Sequence, residues 1–261
     1  MSDSYKIKLD SLSVGYSKVP LISDISFSVS KGEILTLIGP NGSGKSTILK
    51  SITRHLALIA GTVYIDEKNM KVLSGKEVAT KLAVVLTDRV RPELMTCYDM
   101  VAAGRYPYTG SFGLLTPHDR EIVENSLKKV NAWDIAEKDV TEISDGQRQR
   151  VLLARAICQE PEIIVLDEPT SFLDIRHKIE LLEILSDMAK NQGITVVLSL
   201  HEIDLAERIS DKIVFVKGDR ISAYGTPEEV FSDDAVKNLY EINHGSFNAS
   251  LGSVELSAPV G

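Results

Sequence analysis

Three short stretches in the first quarter of the chain alternate polar and apolar residues: Lys6–Leu12, Ile25–Val29 and Gly61–Asp66. Each predicts a half-buried strand, and together they predict an antiparallel sheet laid over a separate core. Two pieces break this rhythm. Glu33–Ile38 is almost wholly apolar past its first residue, as a strand covered on both faces would be, and Ser46–Ile52 reads as the opening of a helix. From Lys76 the pattern leads into a short strand, Leu82–Leu86, followed by a polar loop. A helical spacing resumes over 96–104 with Met100 and Val101. Gly104–Gly113 is rich in Gly, Pro and aromatics and predicts an exposed, shaped loop. Ile122, Val123, Leu127 and Val130 mark an amphipathic helix over 121–130, so that 76–140 reads as a mostly helical insertion.

Ser144 suits an N-cap, with Asp145 and Gln147 in the first turn of a helix that runs to Cys158 and stops before Pro161. Ile163–Leu166 and Thr195–Leu200 are buried strands, separated by a helix marked by Ile179, Leu182, Leu185 and Met188. Asp204–Ile209 is helical, 212–216 and 220–224 form a hairpin around Lys217-Gly-Asp219, and 228–241 hold one or two short helices. From Asn243 the chain is small and polar, which predicts a loose tail. The class is α/β. One domain over 1–240 carries a helical subdomain inserted at about 88–160, and 241–261 trails it.

The 261 residues suffice for one large domain with a subdomain. No apolar run is long enough to span a membrane, and the first residues lack a basic-then-apolar leader, so a cytoplasmic protein is expected. The formal net charge of −8 argues against a nucleic-acid-coating role. Cys97 and Cys158, the two cysteines, match no metal spacing and read as reduced, partly buried thiols.

Candidate chemistry concentrates at Gly39-Pro40-Asn41-Gly42-Ser43-Gly44-Lys45-Ser46-Thr47. This is a phosphate loop with strand before and helix after. Gly42 and Gly44 permit the tight turn that aims successive N–H groups at one anion. Lys45 can reach β- and γ-phosphates, and Ser46 can offer its hydroxyl to Mg²⁺. Phosphoryl transfer also needs a metal ligand and a group that orients water. Asp167 and Glu168, at the end of an apolar strand, supply both: Asp167 for the Mg²⁺ shell, Glu168 as acceptor of the water's proton. His201, at another strand end, either reaches the γ-phosphate or is structural. Tyr16 either stacks on a purine or is a plain sheet-surface aromatic.

Taken together, these residues resemble the nucleotide-binding subunit of the ATP-binding cassette (ABC) family over essentially residues 5–230. Gly39–Thr47 looks like its Walker A loop and Ile163–Glu168 like Walker B, which implies a P-loop NTPase core with a mostly parallel sheet. Ile143-Ser144-Asp145-Gly146-Gln147 is similar to the signature motif Leu-Ser-Gly-Gly-Gln, departing from it at Ile143 and Asp145. Ser171–Asp174 resembles the D-loop with Asp174, His201 the switch histidine, and Tyr16 the adenine-stacking aromatic. The family's glutamine after the strand before the insertion has no counterpart here. By register Thr87 takes its place as a metal and water contact, with Asp88 as the rival. Within the family, Val101–Gly110 resembles the ATPases that serve importers of iron-siderophore complexes, haem and cobalamin.

The resemblance implies ATP and Mg²⁺ as ligands and a head-to-tail homodimer in which the signature helix of one copy meets ATP on the other. It further implies integral membrane permease subunits, an indirect link to an extracytoplasmic substrate-binding protein, and a peripheral place on the cytoplasmic face of the membrane. A soluble repair-type ABC ATPase is disfavoured by the absence of sustained heptads between Walker A and the signature. A translation-factor type is disfavoured by the single Walker A, and a fused exporter by the missing spans.

Overall fold

A computed structural model describes residues 5–86, 94–110, 112–242, 246–248 and 253–255. In chain order its strands and α-helices are β1 (Tyr5–Tyr16), β2 (Val19–Ser30), β3 (Ile34–Ile38), α1 (Lys45–Ile52), β4 (Ala60–Ile65), β5 (Lys68–Asn69), α2 (Gly75–Lys81), β6 (Leu82–Val85), α3 (Cys97–Ala102) and α4 (Pro117–Lys129). There follow α5 (Asp145–Cys158), β7 (Ile163–Leu166), α6 (Ile175–Lys190), β8 (Thr195–Ser199), α7 (Ile203–Ile209), β9 (Lys212–Lys217), β10 (Arg220–Gly225), α8 (Pro227–Val230), α9 (Asp233–Tyr240), β11 (Ser246–Asn248) and β12 (Ser253–Glu255). The chain divides into two compact units, Leu73–Val196 and the remainder, with the second boundary falling inside β8.

The first unit holds an antiparallel sheet in the order β2-β1-β4-β5. Ile7, Leu9, Leu12 and Val14 of β1 face Val29, Phe27, Ile25 and Ile22 of β2, and all eight are buried. The register slips between Leu9 and Leu12, where Ser11 takes a positive φ of 46°. That bulge keeps Leu12 inside although it stands three residues from Leu9. It also breaks strict alternation, which is why the pattern alone ends the strand at Leu12 while β1 continues to Tyr16. The same unit carries β10-β9-β3 with the end of β8 beside β3. β3 and β9 are parallel, Leu37 opposite Val214, and all five residues of β3 are buried.

In the second unit β6 and β7 run parallel, with Val85 opposite Leu166. Helices α3, α4 and α5 pack on one another through Met100, Val101, Val123, Leu127, Val151 and Ala154. α4 begins earlier than its apolar periodicity, because Thr116 and Asp119 form a reciprocal cap and Pro117 sets the first turn.

Two expectations are corrected. Gly104–Gly113 is not simply an exposed loop. Arg105 is buried, donating to Asp119 Oδ1 (2.9 Å), to the carbonyl of Cys158 (2.8 Å) and to Glu160 Oε2 (2.8 Å). A Cβ on Gly104 would stand 2.5 Å from the carbonyl oxygen of Arg155, so only glycine lets this segment lie against α5. The tail also has order: β11 and β12 pair antiparallel, Phe247 opposite Val254. Cys97 and Cys158 are free and buried, as expected of structural thiols, and burial pushes the Cys158 thiol up to about 11.

Candidate functional site

The candidate residues fall in two groups, one in each unit. In the first, β3 delivers the chain into the loop 39–47 and α1 receives it. Gly44 caps α1 at φ 101° and Gly42 stands at φ 77°, conformations that suit glycine. A Cβ on Gly39 would lie 2.1 Å from the carbonyl oxygen of Val216, so strand β9 presses directly on the loop's entry. Pro40 accepts the N–H of Ser43 at 3.2 Å, closing the turn, while Asn41 and Gly42 are exposed at its crest. Lys45 is 4% exposed and donates to the carbonyls of Gly39 (2.7 Å) and Pro40 (3.0 Å). Its ammonium therefore sits inside the loop's own arc, where an incoming phosphate would meet it. Ser43 Oγ is buried and has no hydrogen-bond partner among the described residues.

Tyr16 stands at the exit of this loop, and the residue before His201 is tied to the strand that feeds it. Tyr16 ends β1, is 56% exposed, and brings its hydroxyl to 3.4 Å from Thr47 Oγ1 at the start of α1. The ring thus presents an open face beside the loop's exit. The N–H of Leu200 donates to the carbonyl of Leu37 at 3.2 Å, which ties the residue before His201 to the strand feeding the loop. His201 is half-buried and leads into α7.

In the second unit, β7 is buried throughout and ends at Asp167, which is 1% exposed and donates its N–H to the carbonyl of Val85 (2.8 Å). Glu168 follows at a positive φ of 48°, an unusual backbone for glutamate, and Ser171 Oγ donates to its Oε2 at 3.3 Å. Asp174 caps α6 through the N–H of His177 (2.9 Å) and also meets His177 Nδ1 (2.9 Å). The backbone N–H first, then the His177 side chain, hold the Asp174 carboxyl below the usual range.

Ser144 caps α5 reciprocally with Gln147: Ser144 Oγ accepts the N–H of Gln147 (3.2 Å), and Gln147 Oε1 accepts the N–H of Ser144 (3.0 Å). As an acceptor in this cap, Ser144 still has its hydroxyl proton to give. Ser144 and Asp145 are exposed. The first-turn N–H groups of Asp145 and Gly146 have no intrahelical acceptor, so this helix end is suited to an anion. A Cβ on Gly146 would reach ordinary contact, 3.4 Å, with Leu173 Cδ2, which sets the signature helix beside the segment ending in Asp174.

Thr87 and Asp88 lie outside the described residues. Sequence reasoning passed over Arg148, whose Nη1 donates to Asp145 Oδ1 at 2.7 Å. The signal was available as an acid–base pair three positions apart on a helix.

Residues 22–171 match the family model described as ABC transporter. An uncharacterized ABC transporter ATP-binding protein of Methanocaldococcus jannaschii is 45% identical over 250 residues, covering 96% of this chain and 86% of that one. The iron(3+)-hydroxamate import ATP-binding protein FhuC of Bacillus subtilis is 36% identical over 237 residues, covering 91% and 88%. A solved dimeric ATP-binding cassette, in a post-hydrolysis state bound to ADP and Pi, aligns with a TM-score of 0.75 at 25% identity, covering 85% of this chain and 98% of the other. The chain belongs to the ABC transporter family, as an ATP-binding cassette with ATPase activity. No helix among the described residues is long and apolar enough to cross a membrane.

Proposed function

We propose that this ATPase energises an importer for an iron chelate, a siderophore complex or haem. It works as a head-to-tail homodimer on the cytoplasmic face of the membrane, against integral permease subunits that receive cargo from an extracytoplasmic binding protein. One observation carries the cargo: the near-full-length likeness to an iron(3+)-hydroxamate import protein.

In this reading Tyr16 stacks on the adenine. The backbone of Gly39–Gly44 cradles the phosphates, and Lys45 faces the β- and γ-phosphates. Ser46 and Asp167 are hard oxygen donors of the kind that fit Mg²⁺ and would hold it. Bound Mg²⁺ would neutralise charge on the transferring phosphoryl group. Glu168 accepts the proton of the attacking water, and His201 orients the γ-phosphate. Ser144, Asp145, Gly146 and Gln147 receive the γ-phosphate of ATP held by the other copy, with Asp174 alongside. Thr87 stands in for the family glutamine.

The test is reconstitution in vesicles with the permease subunits that co-purify with the chain. ATP hydrolysis should rise when the binding protein carries a ferric hydroxamate or haem. Stimulation by cobalamin alone, with none by any ferric chelate, would assign a different cargo.

A further inference from the structure

The signature of this chain carries an acid where the family has a glycine, and the structure shows what that acid is tied to. Asp145 is the first residue of α5 and Arg148 the fourth. Arg148 Nη1 donates to Asp145 Oδ1 at 2.7 Å, and Nη2 donates to the carbonyls of Val140 (3.1 Å) and Ile143 (3.3 Å). The Arg148 side chain is 13% exposed and that of Asp145 47%. The next carboxylate along, Asp139, is already taken by the N–H and hydroxyl of Thr141, at 2.8 and 2.5 Å. The guanidinium is thus anchored to the backbone that enters the helix, and its ionic partner is Asp145.

An acid in a first helical turn normally gains from the helix dipole. It also competes for the same N–H groups with any anion that approaches the helix end, and repels it. We infer that Arg148 is a positioning residue: it draws the Asp145 carboxylate sideways, off the α5 terminus, so that this terminus still accepts a γ-phosphate. In this chain, then, the Asp145–Arg148 pair sets how tightly two copies close on ATP. The inference rests on the proposed head-to-tail dimer.

The experiment uses the full chain carrying Glu168→Gln, so that ATP is not consumed, and reads the ATP-dependent monomer–dimer constant by sedimentation. Arg148→Met keeps the length of the side chain and removes its charge. It should weaken dimerisation about tenfold or more, because one carboxylate is now free beside a phosphate, and the deficit should shrink in about 0.5 M salt. Adding Asp145→Asn to Arg148→Met should restore the constant to within about threefold of the parent. Arg148→Lys, which keeps the charge but gives up the fork onto Val140 and Ile143, should stay closer to the parent than Arg148→Met, and serves if Arg148→Met does not fold. The inference is overturned if the double variant is as weak as Arg148→Met, since Arg148 would then only be holding up the loop. It is equally overturned if Arg148→Met matches the parent, or if Arg148→Lys, with the charge kept, falls about tenfold or more below the parent. A Glu168→Gln parent that stays monomeric with Mg·ATP would instead bring down the dimer itself, and this inference with it.

Discussion

Lys45 shows how one side chain serves structure and chemistry together. Its ammonium bridges the carbonyls of Gly39 and Pro40, holding the arc of the loop before any phosphate arrives. Lys45→Ala therefore removes both the brace and the charge. ATP hydrolysis by the purified variant should vanish, with nucleotide binding weakened at least about tenfold in a fluorescent-ATP titration. Normal turnover would show that the loop is not the phosphate site. Glu168 follows β7 at a positive φ, an unusual backbone for glutamate, with Ser171 Oγ donating to its Oε2. Glu168→Gln should retain Mg·ATP and turn it over ~10²–10⁴-fold more slowly in a single-turnover assay. At this scale the tight turn at Gly42 and Gly44 was legible, because a phosphate loop fixes residue types over a few consecutive positions. Arg148 was not, because inside an amphipathic helix an arginine looks like a solvated face until its carbonyl partners are seen.

Among the elements, alternation revealed the first sheet but lost count at the Ser11 bulge, and helical spacing found α4 without its capped first turn. The segment after α3 was misread for a different reason. Arg105 is buried only because Asp119 and Glu160 come to it from elements far along the chain, and no local pattern announces that meeting. Asp119 has two duties. It caps α4 by accepting from Thr116 Oγ1 (2.6 Å) and the Thr116 N–H (3.0 Å), and it pairs with Arg105. The Thr116 hydroxyl, more than Arg105, pulls its carboxyl down from 3.8 to about 2. A carboxyl with a depressed folded-state pKa contributes stability that is fully present above its unfolded value and is lost as pH falls through the folded one. Unfolding of the parent should therefore become easier between about pH 4 and pH 2, in a window where Asp119→Asn changes less. At neutral pH, Asp119→Ala should cost about 3 kcal/mol in a denaturant melt, since it strands a buried guanidinium that keeps only Glu160 as an ionic partner. A loss below about 0.5 kcal/mol would mean the pair is not buried in solution.

For the molecule as a whole, the fold class was readable because six motifs in a fixed order leave few alternatives. The β11–β12 pair was not, because strands of three residues each are too short for alternation to show. At the start of α5, Ser144 accepts from the N–H of Gln147, keeps its own proton to donate, and stands exposed. In the proposed head-to-tail pair the γ-phosphate of the other copy approaches this end, and a bulky cation at residue 144 tests that. In the proposed dimer Ser144 meets the ATP of the other copy and not the one held by its own phosphate loop, so ATP should still titrate into the monomer with nearly the parent affinity. The arginine obstructs the space an incoming γ-phosphate must enter and disrupts the reciprocal cap, which by itself costs about 1 kcal/mol of helix stability. In the Glu168→Gln background, gel filtration with Mg·ATP should then show monomer where the parent shows dimer. Ser144→Ala, which loses the same cap without the bulk, controls for the helix and should still dimerise, only more weakly. If Ser144→Arg closed on ATP as the parent does, the phosphate held by one copy would not be meeting α5 of the other, and the shared site would have to be built elsewhere.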